Sequence, residues 1–396
     1  PKRQWTETCV WAKMHLELSR NRTLSGSPTS MELQMSNASN GILLSAIFAI
    51  ISLLSVMAGC SSQASRADKP HHTTNGFRNV NSPKHPGFTG FLKWRWDRLW
   101  QGVPSPESFS FPVAANDPAF LRSNGDKITF TWIGHATALL QLSGKNILTD
   151  PHFSERASPV SWAGPKRVVQ PGLSLDQLPH IDMVVISHDH YDSLDTSSIT
   201  ALHARDRGDQ TTYFVPLGLK SWFRDLGIER VIELDWWEKH KLDGLELIAV
   251  PVQHWSKRGP VGRNETLWAG WVVRSNDFSF FFAGDSGYTP HFAEIGRKLG
   301  PFDLSAIPIG AYEPRWFMRY SHMSPEESVQ VHKDVRSKRS VGIHWGTFML
   351  TDEPLDEPPK RLRVAGEKNK LAKDEFVALK HGETIIIKPD GDDRSN

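Results

Sequence analysis

Cysteine is nearly absent from this chain: Cys9 and Cys60 are the only two among 396 residues. Two cysteines cannot staple a chain of this length, so a disulfide framework is excluded as the basis of the fold. None follows Cys60, which excludes a thiolate metal site over all the sequence beyond it. Charge of one sign is not in excess either. Lysine and arginine total 46 against 44 acidic residues, and that balance leaves no electrostatic footprint for nucleic acid. Internal repeats are lacking. What the chain does have is an apolar share of 39%, enough for a core, together with 15 tryptophans, 20 phenylalanines and 17 histidines. Any metal held beyond Cys60 must therefore use His, Asp or Glu.

Residues 1–40 are rich in Ser, Asn and Thr with little apolar periodicity, and read as a disordered tail. The segment 41–60 differs: from Gly41 to Gly59 it carries no charge, and it is long enough to span a bilayer. It runs into Ala58-Gly59-Cys60-Ser61, where small residues before a cysteine resemble a bacterial lipoprotein cleavage site with Cys60 as the lipidated residue. The stretch after Met31 lacks the basic residues of a signal n-region, so an uncleaved membrane anchor and a buried helix stay open. The first two readings make membrane association the expected localisation. Residues 61–112 form a linker that contains an aromatic–basic segment, Phe88 to Trp100. Within it Phe88, Leu92, Trp96 and Leu99 share one face at helical spacing. Tryptophan beside Lys93, Arg95 and Arg98 suits a lipid headgroup boundary, and packing on the main domain is the alternative.

Residues 113–392 carry the main domain. Lys127 to Ile133 alternates like a strand and stops at Gly134, and Ala138–Leu142 with Asn146–Thr149 bracket Ser143-Gly144-Lys145 as a hairpin. Ile181–Ile186, Phe278–Ala283 and Ser340–Ile343 are apolar runs of buried-strand length. Asp195 to Arg205 reads as a helix. Another starts at Pro325, with Ser324 as N-cap, proline in the first position and Glu327 three residues after the cap. Strands and helices interleave throughout, which makes this a layered α/β domain.

The histidines and aspartates concentrate where these runs end. The Ile181–Ile186 strand leads into Ser187-His188-Asp189-His190-Tyr191-Asp192, whose spacing can aim His188, His190 and Asp192 into one space. Leu247 to Gln253 ends in His254, Phe280 to Gly284 in Asp285, and Val341 to Ile343 in His344. Any one of these reads equally as a polar strand end. All of them together read as an imidazole–carboxylate metal site at the strand ends of an α/β fold.

That order, His-x-His-x-Asp, later His, later Gly-Asp-Ser-Gly and later His, resembles the metallo-β-lactamase superfamily. Within it the chain is similar to the N-acylphosphatidylethanolamine-hydrolysing phospholipase D family. The likeness is carried by Thr131-Trp132-Ile133-Gly134-His135-Ala136-Thr137, Leu148-Thr149-Asp150-Pro151, Gly164-Pro165-Lys166-Arg167, Glu233-Leu234-Asp235-Trp236-Trp237, the run Phe302 to Met318 and His344-Trp345-Gly346-Thr347-Phe348. It covers roughly Ile128 to Gly382. The resemblance implies an α/β fold of the αβ/βα four-layer sandwich type with two zinc ions. By it, His188, His190 and His254 hold one zinc, Asp285 bridges, and Asp192 and His344 hold the other. One position departs. The family carries a histidine ligand directly after the motif aspartate, and this chain has Ser193. A neutral hydroxyl is a poor zinc ligand, so the second zinc is expected to bind more weakly, with Asp192, Asp285, His344 and solvent.

The implied activity is phospholipase D-type hydrolysis of N-acylphosphatidylethanolamine to phosphatidic acid and an N-acylethanolamine. Two metal ions would activate water and relieve charge on the phosphoryl oxygens. Asp192, Asp285 and His322 are the candidate catalytic residues, and Tyr191 and His322 the candidate substrate contacts. A helix-flanking surface histidine is the plain alternative for His322, and core packing the plain alternative for Tyr191. Expected partners are a phospholipid substrate, a membrane and a second copy of the chain. Two rivals stay open. One is a hydrolase of another substrate, a lactone or a different phosphoester. The other is a membrane-tethered lipid-binding homologue in which Ser193 has impaired catalysis.

Overall fold

A computed structural model of the chain describes residues 69–80 and 85–388. The expected tail 1–40 and the uncharged segment 41–60 with Cys60 lie outside the described residues. Among the described residues no helix is long and apolar enough to cross a membrane.

Among the described residues sixteen strands appear in chain order: β1 (His72–Thr73), β2 (Gly76–Phe77), β3 (Ile128–Gly134), β4 (Thr137–Leu142), β5 (Lys145–Thr149), β6 (Met183–Val185), β7 (Thr212–Pro216), β8 (Val231–Leu234), β9 (Lys239–Leu242), β10 (Leu245–Val250), β11 (Gly270–Arg274), β12 (Ser279–Phe282), β13 (Leu304–Pro308), β14 (Ser340–Ile343), β15 (Phe376–Val377) and β16 (Thr384–Ile387). The α-helices among these residues are α1 (Gly87–Gln101), α2 (Pro118–Ser123), α3 (Thr196–Ala204), α4 (Lys220–Asp225), α5 (His291–Leu299), α6 (Arg315–Met318), α7 (Pro325–Asp334) and α8 (Glu357–Lys368).

Beyond the small β1–β2 hairpin, the strands form two seven-stranded sheets. One runs β16-β3-β4-β5-β6-β7-β8 and the other β15-β14-β13-β12-β11-β10-β9. Strand alternation sorts the side chains of the first sheet. Phe130, Ala138, Leu140, Ile147, Met183, Val185 and Phe214 face the second sheet in one core. Their neighbours Leu139, Leu148, Val184, Tyr213 and Val215 face a second core with Ile199 and Leu202 of α3 and Phe223 of α4. Both faces are covered, so the strands read as nearly continuous apolar runs. On the outer side of the second sheet, Ile295 of α5, Val329 and Val331 of α7 and Leu362 of α8 join the core. Helices, sheet, sheet and helices make the four expected layers.

Polarity brings the site together. β5 to β8 are parallel and β3, β4 and β5 pair antiparallel, so β3 and β6 point the same way. In the second sheet β12, β13 and β14 are parallel and β10 and β12 flank an antiparallel β11, so these too share a direction. The ends of β6, β10, β12 and β14 carry the expected ligands.

Helix α7 begins as expected, with the reciprocal capping box between Ser324 and Glu327 and Pro325 in the first turn. The expected linker has structure in its described part. Residues 69–80 dock on the domain, and the aromatic–basic segment is the helix α1. Trp94, on the face opposite Leu92 and Trp96, is buried; it stacks on Phe317 of α6 at 5.4 Å, and its Nε1 donates to Asp352. The face bearing Phe88, Leu92, Trp96 and Leu99 is exposed.

Candidate metal centre

His188, His190 and His254 converge. Nδ1 of His190 lies 2.8 Å from Nε2 of His188 and 3.2 Å from Nε2 of His254. The outer nitrogens of two rings are already occupied. Nδ1 of His254 donates to the carbonyl of Ser321, and Nδ1 of His188 meets the hydroxyl of Ser187, which in turn donates to Asp150. Such bonds fix the ring orientation, and at His254 the tautomer as well, and leave the inner nitrogens as lone-pair donors. Burial pushes His188 down to about 3 and lowers His190 and His254 too, so all three rings are neutral near pH 7. Neutral imidazole is the form that ligates metal. Trp255 packs edge-on to His190 at 4.2 Å, under the guanidinium of Arg263.

A second cluster adjoins the first. Nε2 of His344 lies 3.1 Å from Oδ2 of Asp285 and 3.4 Å from Oδ2 of Asp192. The same Asp285 oxygen is 3.8 Å from His188 Nε2 and 3.9 Å from His254 Nε2, so it stands between the clusters. Burial alone would raise both carboxyls. Hydrogen bonds from His135 and His344 hold Asp192 well below the usual carboxylate range, and the charge of His344 does the same for Asp285. His344 is pushed up to about 10, because Asp285 and Asp192 outweigh its burial. Two ionised carboxylates in a buried space draw positive charge there, and a divalent ion answers that demand in place of the imidazolium proton.

The donor set passes a further test of fit. Nε2 of His190, Nδ1 of His344, Oδ1 of Asp285 and Nδ1 of His322 are buried without a hydrogen-bond partner. Orphaned buried polar atoms are uncommon, and here they point to an ion. The backbone is also strained at the site. His344 has φ 60°, His135 has φ 53° and Asp150 has φ 31°, each costing roughly 1–3 kcal/mol. Gly284 precedes Asp285 at φ 58°, and a Cβ there would come within 2.5 Å of Ser187 Cβ, so only glycine lets the two sheets approach at this point.

All six expected ligands therefore converge in adjoining clusters, and His322 joins them, with its ring 5.3 Å from His254 and 5.5 Å from His344. Tyr191 is turned toward the loop after His254. Its hydroxyl donates to the Arg258 carbonyl at 2.5 Å and the Arg258 guanidinium covers its ring. Asp189 braces the same loop by accepting from the Lys257 N–H at 2.8 Å and the Thr266 hydroxyl at 3.1 Å.

Several residues whose part in the site is not legible in the sequence join it in the structure. Asp150 and Ser187 support His188. Asn79 bonds the backbone of His254 in both directions and also reaches the Tyr320 hydroxyl. His135 touches Asp192 at 3.1 Å. Asp150 and His135 do end strands, as the ligands do, and that position was the available signal. Nothing local marks Asn79.

Two facing sheets clad in helices, with buried His and Asp clusters at their strand ends, define a metal-dependent hydrolase of the metallo-β-lactamase superfamily. Residues 145–345 match the family described as "Beta-lactamase superfamily domain". A solved structure with this fold is Igni18, a metallo hydrolase from the archaeon Ignicoccus hospitalis, at TM-score 0.50 and 20% identity over 66% of this chain and 99% of that one. Sequence likeness narrows the class. The chain is 44% identical to N-acyl-phosphatidylethanolamine-hydrolyzing phospholipase D 1 of Caenorhabditis elegans over 64% of this chain and 74% of the relative. It is 33% identical to the Saccharomyces cerevisiae protein named N-acyl-phosphatidylethanolamine-hydrolyzing phospholipase D, mitochondrial, over 60% of this chain and 51% of that one. The chain belongs to this phospholipase D-like family of metallo-β-lactamase-fold hydrolases.

Proposed function

We propose that this chain hydrolyses N-acylphosphatidylethanolamine in a zinc-dependent reaction. Water attacks phosphorus, the bond from phosphorus to the ethanolamine oxygen breaks, and phosphatidic acid and an N-acylethanolamine leave. The observation that carries the reading is the pair of adjoining imidazole–carboxylate clusters sharing Asp285. The similarity to relatives named for this hydrolysis supports the substrate.

His188, His190 and His254 would hold one zinc, Asp192 and His344 the other, with Asp285 between them. Zinc in these places would activate water and offset charge on the phosphoryl oxygens. The remaining work belongs to side chains. Asp285 Oδ1 is buried and unpartnered, and Asp192 stays ionised, so either carboxylate can orient the attacking water or receive its proton. Burial pushes His322 down to about 4, so its ring is neutral at pH 7, and Nδ1 is unengaged and buried. It is suited to hold a phosphoryl oxygen or the leaving oxygen.

A lipid substrate requires access from a membrane. The exposed aromatic face of α1, with Lys93 and Arg95 beside it, supports such a surface. Trp94 joins this helix to α6, which leads directly into the loop carrying His322.

The test is to incubate zinc-loaded protein with vesicles containing N-acylphosphatidylethanolamine and identify the products. Release of N-acylethanolamine with phosphatidic acid, lost in His188→Ala together with bound zinc, is expected. Turnover only of lactones or water-soluble phosphodiesters would leave a metal hydrolase standing and remove the lipid substrate. Full zinc occupancy in His188→Ala would overturn the ligand assignment.

A further inference from the structure

We propose that His135 supplies the imidazole of the second metal position, in the place that Ser193 leaves open. This rests on the two-metal reading above and goes beyond it by naming a ligand that neither the His-x-His-x-Asp motif nor its downstream partners contain.

Ser193 follows Asp192 where a histidine ligand would stand. Its side chain is fully buried and its hydroxyl has no hydrogen-bond partner. A neutral hydroxyl is a poor substitute for imidazole as a zinc donor, so a metal beside Asp192 lacks the second nitrogen that a histidine at position 193 would add to that of His344. His135 is placed to give it. Its Nε2 is 3.1 Å from Oδ2 of Asp192, the oxygen that His344 Nε2 approaches to 3.4 Å. The ligand atoms of His135, Asp192 and His344 all lie within 4.8 Å of one another, the same closeness that joins His188, His190 and His254. The His135 and His344 ring centroids are 4.0 Å apart.

The backbone holds His135 there. It sits in the turn after β3, at the end of that sheet which also delivers His188 from β6. Its N–H donates to the Thr347 hydroxyl at 2.9 Å, and its carbonyl accepts from the His344 N–H at 2.9 Å. The two histidines are thus bonded to each other through the main chain, both in the left-handed region, with φ 53° and φ 60°. Strained residues that are locked together and aim two imidazoles at one carboxylate form a preorganised pair of donors.

The plain alternative is that His135 only donates a hydrogen bond to Asp192 and orients it. His135→Gln separates the two roles, since a glutamine amide can still donate to Asp192 but is a poor zinc ligand. Full-length protein is stripped with chelator and titrated with Zn²⁺ alone, with bound zinc counted by native mass spectrometry. Wild type should take up two ions. His135→Gln should keep the first and bind the second at least ~10–100-fold more weakly, the lower bound being set by what outer-sphere changes alone cost. The double variant His135→Gln/Ser193→His should regain the second ion, whereas Ser193→His alone should gain little. A second zinc held as tightly in His135→Gln as in wild type would overturn the proposal while sparing the two-metal reading. A single zinc in both proteins would overturn both. Crystals of wild-type protein grown with zinc provide a check that needs no variant to fold. His135 Nε2 at about 2.0–2.1 Å from the ion supports the assignment, and solvent or Ser193 Oγ in that position refutes it.

Discussion

Asp235 shows how far a single side chain reaches in this molecule. Its carboxylate is buried and takes Lys69 at 2.6 Å, His71 at 2.7 Å, His72 at 3.0 Å and the Trp236 N–H at 2.7 Å. Burial alone would raise its pKa, but the bonds from His71 and Lys69 dominate and hold it well below the usual range. These bonds dock residues 69–80, the segment whose Asn79 braces His254. Asp235→Asn should cost roughly 3 kcal/mol, the low end for breaking a buried pair, because Lys69 is partly exposed. The sign with pH follows from a folded-state pKa below the unfolded one. The contribution is complete above the unfolded carboxylate value of about 3.9 and is lost as pH falls below it. Urea unfolding of wild type and variant should therefore differ most at pH 7, and the difference should begin to narrow as pH falls below about 3.9 and vanish only below the depressed folded-state value. A constant difference across that range would show that the charge is not what matters.

Two elements carry predictions of their own. Helix α7 opens on the Ser324–Glu327 capping box two residues after His322, so the cap fixes both the helix and the exit of the His322 loop. Ser324→Ala should destabilise by about 1 kcal/mol and lower the hydrolysis rate. An unchanged rate would uncouple the cap from the site. Helix α1 presents Trp96 and Leu99 at 61% and 74% exposure. Burying each in a lipid interface is worth up to about 1.5–3 kcal/mol. Trp96→Ser/Leu99→Ser should therefore weaken vesicle binding at least ~10-fold at an unchanged melting temperature. Equal binding of wild type and variant would remove α1 from the membrane surface. Its helical spacing was legible in the sequence, and so was the apolar stripe. Which way the stripe faces was not. Trp94 on the opposite side found Phe317 and Asp352, and those partners are more than 200 residues away in the chain.

At the scale of the whole molecule, the site joins the two sheets. His188, His190 and Asp192 leave β6 of one sheet, while His254, Asp285 and His344 leave β10, β12 and β14 of the other. Metal bound across that seam stabilises the folded state by mass action, about 2.7 kcal/mol at a free concentration 100-fold above the dissociation constant. Chelation should lower the melting temperature by several degrees, and zinc should restore it. Protons compete for the same imidazoles, so the zinc-dependent part of the stability should shrink as pH falls. A melting temperature indifferent to chelator in protein shown to carry zinc would mean that the seam is held by packing alone.

Some of this protein was determined by the sequence alone. The lack of cysteine beyond Cys60 restricts the metal donors to imidazole and carboxylate. Apolar runs ending in His188, His254, Asp285 and His344 place those donors at strand ends, and Ser324-Pro325 starts a helix. These features are legible because side-chain chemistry, strand alternation and capping act over a few neighbouring residues. The meeting of strand ends was left to the tertiary structure. His135 reaches Asp192 across 57 positions, and Asn79 reaches His254 across 175. Such neighbours arise from strand order, strand polarity and the approach of one sheet to the other at Gly284, which no local pattern encodes. Ser193 shows the division most clearly. The sequence shows a serine where the family motif has a histidine, and only the packed structure sets another imidazole, that of His135, against Asp192.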